Sequence, residues 1–241
     1  MKNYLILTAL SLILIGCNNE PKQAAQKEVA AVKEVPATKQ EAAPKVMSEA
    51  TLDLTKYGIA NNPNNVLGGL KVGDLAPNFE ALGNRGRTIN LEKETERSPI
   101  ILTFFRGGWC GYCTKQLAEF KDNLKEFNEL DHARVIAVTP QTMEYTRAVG
   151  NDGGLTYNLI PDENHEIMKK YKVFYHVTED YNSKILKFKE KDLNEFNGSS
   201  SPVLPVPATY VIGKDMRIKY VFYDPDYSKR PPMDDLIAAL E

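Results

Sequence analysis

Two cysteines three residues apart, Cys110 and Cys113 in FFRGGWCGYCTKQL, are the side chains best placed to do chemistry in this chain. A pair at this spacing can cycle between dithiol and disulfide, form half of a metal site, or brace a turn. A structural zinc site takes about four ligands, and His132, His165 and His176 include no metal-spaced pair to complete one. A bracing disulfide gains little here, because closing so short a loop restrains the unfolded chain less than closing a long one. A redox-active dithiol uses both the short loop and its setting, and needs no metal and no organic cofactor.

That setting is a strand running into a helix. PIILTFF is a near-continuous apolar run, as in a strand covered on both faces. After the cysteines, Leu117, Phe120, Leu124, Phe127 and Leu130 recur at spacings of three and four, which predicts one buried helical stripe. Backbone N–H groups at a helix start favour a thiolate. Cys110, at the entrance, is expected to be the more exposed sulfur, with Cys113 one turn further in. Arg106 would add to the effect if it turns toward the sulfur. Trp109 and Tyr112 flank the pair, either as an apolar contact surface or as packing residues.

RVIAVTP predicts a second buried strand, Thr142 to Ala148 a helix, and TYNLI with ENHEIMKKY a further strand and helix. ATYVIG and RIKYVFY read as a closing hairpin, and Leu236, Ile237 and Leu240 as the apolar face of a last helix. Strands alternating with helices predict an α/β sheet flanked by helices. In LPVPATYVI a proline directly precedes a strand, although proline cannot donate to a sheet ladder. Beside a strand–CxxC–helix unit, the expectation is a cis Val206–Pro207 bond that exposes the Val206 backbone to an extended substrate.

The chain opens MKNYLILTALSLILIGCNN. Its apolar run is shorter than the roughly 20 residues that span a bilayer core. A charged start, apolar middle and small residue before the break fit a secretory signal, and Leu14-Ile15-Gly16-Cys17 resembles a bacterial lipoprotein box with Cys17 as the lipidated residue. Residues 1–17 are therefore expected to be a signal and anchor. Residues 18–66, starting in Ala, Lys, Glu and Pro, are expected to be a disordered tether, with a reach of about 35–40 Å. Residues 67–241 form the expected folded domain, held at the bacterial cell envelope and facing the periplasm or exterior. With a net charge of −2 and no dense basic cluster, attachment to the membrane would come from lipid, and nucleic acid is not an expected partner.

VGDLAPNFEAL, FFRGGWCGYC, LPVPATYVIG and DPDYSKR together resemble the thioredoxin superfamily, specifically the peroxiredoxin-like branch of the alkyl hydroperoxide reductase / thiol-specific antioxidant family. The resemblance covers about Leu70 to Leu240 and implies a thioredoxin-like fold with a helical insertion, between Phe174 and Ser201, before the proline strand. It implies peroxide reduction through a Cys110/Cys113 couple, with electrons from a thioredoxin-like donor. The alternative is reduction of protein disulfides in the envelope. Laid on the family's frame, Cys113 takes the peroxidatic position, Arg106 stands where a Pro is usual, Cys110 replaces a Thr, and Pro207 falls about where an Arg is usual. The side chains that commonly polarise the peroxide bond are then expected to be missing. In the disulfide-exchange frame Cys110 attacks and Cys113 resolves.

Overall fold

In a computed structural model of the chain, residues 53–241 are described. A small antiparallel pair comes first, β1 (Glu80–Leu82) with β2 (Thr88–Asn90), followed by the short helix α1 (Leu91–Thr95). The apolar run before the cysteines is β3 (Ile100–Phe104), buried at every position. It leads to α2 (Gly111–Asp122) and α3 (Leu124–Glu129), then to β4 (Arg134–Thr139), α4 (Met143–Asp152), β5 (Asn158–Pro161) and α5 (Glu166–Lys170). The chain continues through β6 (Phe174–His176), α6 (Glu179–Lys189), α7 (Leu193–Asn197) and β7 (Val203–Pro205). It closes with the hairpin β8 (Ala208–Ile212) and β9 (Ile218–Tyr223), and with α8 (Met233–Ala238).

Five strands form the main sheet in the order β5-β4-β3-β8-β9. The central strand β3 runs parallel to β4 and antiparallel to β8, so the sheet is mixed. Alternate side chains of β3 supply two cores, as the period of a strand requires. Ile100, Leu102 and Phe104 pack on one face with Tyr171 and Tyr210, while Ile101 packs on the other with Leu117, Phe120 and Leu236. Two buried hydroxyls on neighbouring strands, Thr103 and Thr209, lie 2.9 Å apart, and Gln116 of α2 donates to Thr209 at 3.3 Å. This polar link ties the cysteine helix to the sheet centre without leaving those groups unpaired.

Two expectations change. The single helical stripe is two helices, broken at Asn123, whose side chain donates to the Glu119 carbonyl at 2.8 Å. Asparagine competes for backbone partners in this way and ends the turn. The folded body also begins earlier than residue 67. Ile59 is buried and bridges to Val177, Val66 bridges to Phe174, and the Ala60 amide donates to the His176 carbonyl at 2.8 Å. Residues 59–66 therefore pack along the edge of β6 as part of the folded body. The expected signal, Cys17 and the expected tether up to residue 52 lie outside the described residues.

Candidate active site

The chain leaves β3 and must turn back to start α2, and the glycine pair makes this possible. Gly107 has φ +146, and a Cβ there would lie 2.5 Å from Trp109 Nε1; a Cβ on Gly108 would lie 2.4 Å from Val149. The Gly108 amide donates to Gln141 Oε1 at 2.8 Å, fixing the turn. Cys110 is then the N-cap residue of α2, in extended backbone conformation, and its carbonyl accepts from the amides of Cys113 and Thr114 at 3.0 Å each. Both sulfurs are free and buried, Cys110 5 % exposed and Cys113 0 %, so the expected exposure of Cys110 reduces to a sliver. The buried face of α2, Cys113, Gln116, Leu117 and Phe120, turns the sulfurs inward while Gly111, Tyr112 and Thr114 stay exposed.

The Cys113 thiol donates to Cys110 Sγ across 2.7 Å. That hydrogen bond is the main cause holding the Cys110 thiol down to about 6; burial opposes it, and the charges of Arg106 and Arg230 assist. Burial is the main cause pushing the Cys113 thiol well up, reinforced by Cys110 itself. The reduced site is therefore a Cys110 thiolate held by a Cys113 thiol.

Arg106 does turn toward the sulfur. It is 1 % exposed, with one guanidinium nitrogen 4.0 Å from Cys110 Sγ and the other bonded to the Tyr181 hydroxyl. Its guanidinium lies over the rings of Tyr227, Trp109 and Tyr181 at 4.0, 5.0 and 5.1 Å. Aromatic faces stabilise such a cation without neutralising it. Among the described residues Arg106 forms no carboxylate ion pair, so the thiolate is its counter-charge.

A second guanidinium enters from the other end of the chain. Arg230 donates to Cys113 Sγ at 3.3 Å and to the Tyr227 carbonyl at 2.7 Å. The expected lack of side-chain donors at the sulfurs is thereby corrected: both sulfurs have an arginine. Arg230, Tyr181 and Tyr227 escape sequence reasoning. DPDYSKR reads as a turn ending in arginine, but nothing local says which sulfur that arginine meets.

The remaining expected residues divide. Trp109 is half-buried, its ring 6.3 Å from Phe196, and with Thr114, Leu117, Tyr145 and Val149 it lines a cavity of about 380 Å³ beside the start of α2. Tyr112 is 51 % exposed and stands 6.2 Å from Tyr227. Val206 and Pro207 join β7 to β8 and are buried. The Val206 amide donates to the Val173 carbonyl at 2.8 Å, so this group is already paired within the fold and is not free for an extended substrate. The helical insertion is present as α6 and α7, and through Tyr181 it reaches the site.

Residues 72–221 match the AhpC/TSA family. The chain belongs to this family. It is 27 % identical over 157 residues to a putative chloroplastic peroxiredoxin Q of Oryza sativa subsp. indica, covering 65 % of this chain and 61 % of that protein. It is 27 % identical over 108 residues to a chloroplastic peroxiredoxin Q of Triticum aestivum, covering 45 % and 49 %. The chain thus spans about half to three fifths of these curated relatives. The crystal structure of peroxidoxin BcpB from Mycobacterium tuberculosis superposes with a TM-score of 0.55 at 19 % identity, covering 71 % of this chain and 96 % of that one, which shows the shared fold. As an AhpC/TSA family member the chain has its Cys110–Cys113 pair and Arg106 inside the matched segment. Tyr227 and Arg230 lie beyond it.

Proposed function

We propose that this chain is a thiol peroxidase of the peroxiredoxin kind, working through Cys110 and Cys113 with electrons from a thioredoxin-type donor. One observation carries the reading: the Cys110 sulfur at a helix N-terminus lies 2.7 Å from the Cys113 sulfur, with Arg106 beside the first and Arg230 beside the second. The Cys110 thiolate attacks the terminal peroxide oxygen, the O–O bond breaks, and the leaving oxygen takes a proton as water or alcohol. Cys110 is left as a sulfenic acid. Cys113 then attacks the Cys110 sulfur, water leaves, and a Cys110–Cys113 disulfide forms. A donor dithiol reduces it by exchange. The guanidiniums supply the positive charge that the departing oxygen needs.

The family frame would place first attack at Cys113. Burial and the neighbouring thiolate keep Cys113 protonated, which favours Cys110. The same ordering also supports a second reading, an envelope disulfide reductase in which Cys110 attacks a protein disulfide. Leu14-Ile15-Gly16-Cys17 supports a lipid anchor for either activity. Turnover of hydrogen peroxide is to be compared with turnover of a disulfide substrate, using one thioredoxin-type donor for both. In Cys113→Ser, peroxide should leave Cys110 as a sulfenic acid that a specific probe captures. If Cys113→Ser gives no sulfenic acid yet traps protein partners, the peroxidase reading gives way to the reductase.

A further inference from the structure

We propose that Arg230 is the catalytic residue of the second thiol step, stabilising Cys113 as a thiolate when it closes the disulfide, while Arg106 serves Cys110 in the first. The assignment rests on the Cys110–Cys113 couple of the proposed function but not on which oxidant Cys110 meets.

The geometry pairs one guanidinium with each sulfur. Arg106 stands 4.0 Å from Cys110 Sγ, and Arg230 stands 3.3 Å from Cys113 Sγ. Both Nε atoms are buried without partners, and among the described residues neither side chain forms a carboxylate ion pair. Their charges are therefore left for the sulfurs. In the resting site the partly buried Arg230 faces a neutral thiol.

Consumption of Cys110 changes this. Two of the three causes that keep Cys113 protonated are its hydrogen bond to Cys110 and the negative charge on Cys110. Once Cys110 carries a neutral sulfenyl or mixed-disulfide group, both vanish. What remains is burial, opposed by the adjacent Arg230 and, to a smaller degree, by Arg106. Cys113 can then lose its proton, attack the Cys110 sulfur and expel the leaving group, which takes up that proton. The two electrons of the new S–S bond come from Cys113, and the leaving group departs with those of the old bond.

The segment that delivers Arg230 is built to hold still. Asp226 accepts from the Ser228 amide at 3.1 Å and from its hydroxyl at 2.7 Å, and the Lys229 amide donates to the Asp226 carbonyl at 3.0 Å. Pro231 and Pro232 follow directly, fixing the backbone dihedral that each contributes. The same turn sets Tyr227 over Arg106, so one segment beyond the family-matched residues serves both guanidiniums.

Dithiobis(nitrobenzoate) separates the two steps, without any peroxide, on the reduced protein carrying Cys17→Ser, in which Cys110 and Cys113 are the remaining thiols. Attack by Cys110 releases one thionitrobenzoate and leaves a mixed disulfide; attack by Cys113 releases the second and forms the Cys110–Cys113 bond. Cys113→Ser defines the single-release amplitude. Arg230→Met should slow the second release by roughly 10–100-fold, the worth of a hydrogen bond to a charged group, with the first release changed far less. Arg230→Lys, which keeps the charge, should recover most of the second rate. A second release unchanged in Arg230→Met, a first release slowed as much as the second, or no recovery by Lys overturns the assignment. Loss of peroxide turnover with this two-phase pattern intact would count against the peroxidase reading alone.

Discussion

Replacing Arg106 by Met tests the electrostatics on which the first thiol step depends. Methionine can occupy the cage of Trp109, Tyr181 and Tyr227, and because Arg106 has no carboxylate partner among the described residues, its removal strands no buried anion there except the thiolate itself. Arg106 lies 4.0 Å from Cys110 Sγ. Unit charges at that distance interact by about 4 kcal/mol at an effective dielectric constant of about 20, which is a ceiling here. An opposite charge this close typically shifts a pKa by about 1–3 units. The Cys113 hydrogen bond remains and is the larger cause holding Cys110 down to about 6. A loss of about two units would then place Cys110 near 8 and cut the thiolate from about nine-tenths to about one-tenth at pH 7. The assay is the pH profile of alkylation of reduced protein by iodoacetamide. Arg106→Met should raise the midpoint of that profile by about two units, toward 8, with a plateau at high pH no lower than that of the wild type. A midpoint still near 6 in the variant would refute the role given to Arg106; a lowered plateau would show that the sulfur has moved.

Folding depresses the Cys110 value from 9.0 to about 6, so the unfolded chain binds more protons between those values. The reduced protein should therefore gain stability as pH rises through that window and lose it as pH falls toward 6. Thermal midpoints under reducing conditions should show this slope in the wild type and lose it in Cys110→Ser. Gly107→Ala places a Cβ 2.5 Å from Trp109 Nε1 at φ +146; it should cost roughly 1–3 kcal/mol, read from the denaturant midpoint, and slow alkylation of Cys110. Cys17→Ser should leave an unprocessed precursor or release the protein from membranes, and an unmodified mature Cys17 in an intact-mass measurement would end the proposal of a lipid anchor.

Local sequence determined the parts of this protein whose causes are local. A β-branched apolar run became β3, a three-and-four repeat became the cysteine helix, and the CxxC spacing alone brought two sulfurs to the first turn of that helix. ATYVIG and RIKYVFY formed their hairpin because a turn sits between two strands whose outer ends need pairing. The break at Asn123 was less legible, since a side chain bonding back to Glu119 interrupts a helix without interrupting its apolar pattern. Ile59 and Val66 were invisible as domain residues for the opposite reason: they sit among Asn, Gly and Pro with no strand or helix period, and only the edge of β6 gives them somewhere to go. The electrostatics of the site were decided by tertiary structure. Arg106 reaches a sulfur four residues away, but its aromatic cage is assembled from Trp109, from Tyr181 in the insertion and from Tyr227 after the last strand. Arg230 meets Cys113 across 117 residues of chain. Charge acts through space over a few ångströms regardless of separation along the chain, so only the fold, by bringing those segments to one end of β3, could decide which cation serves which sulfur.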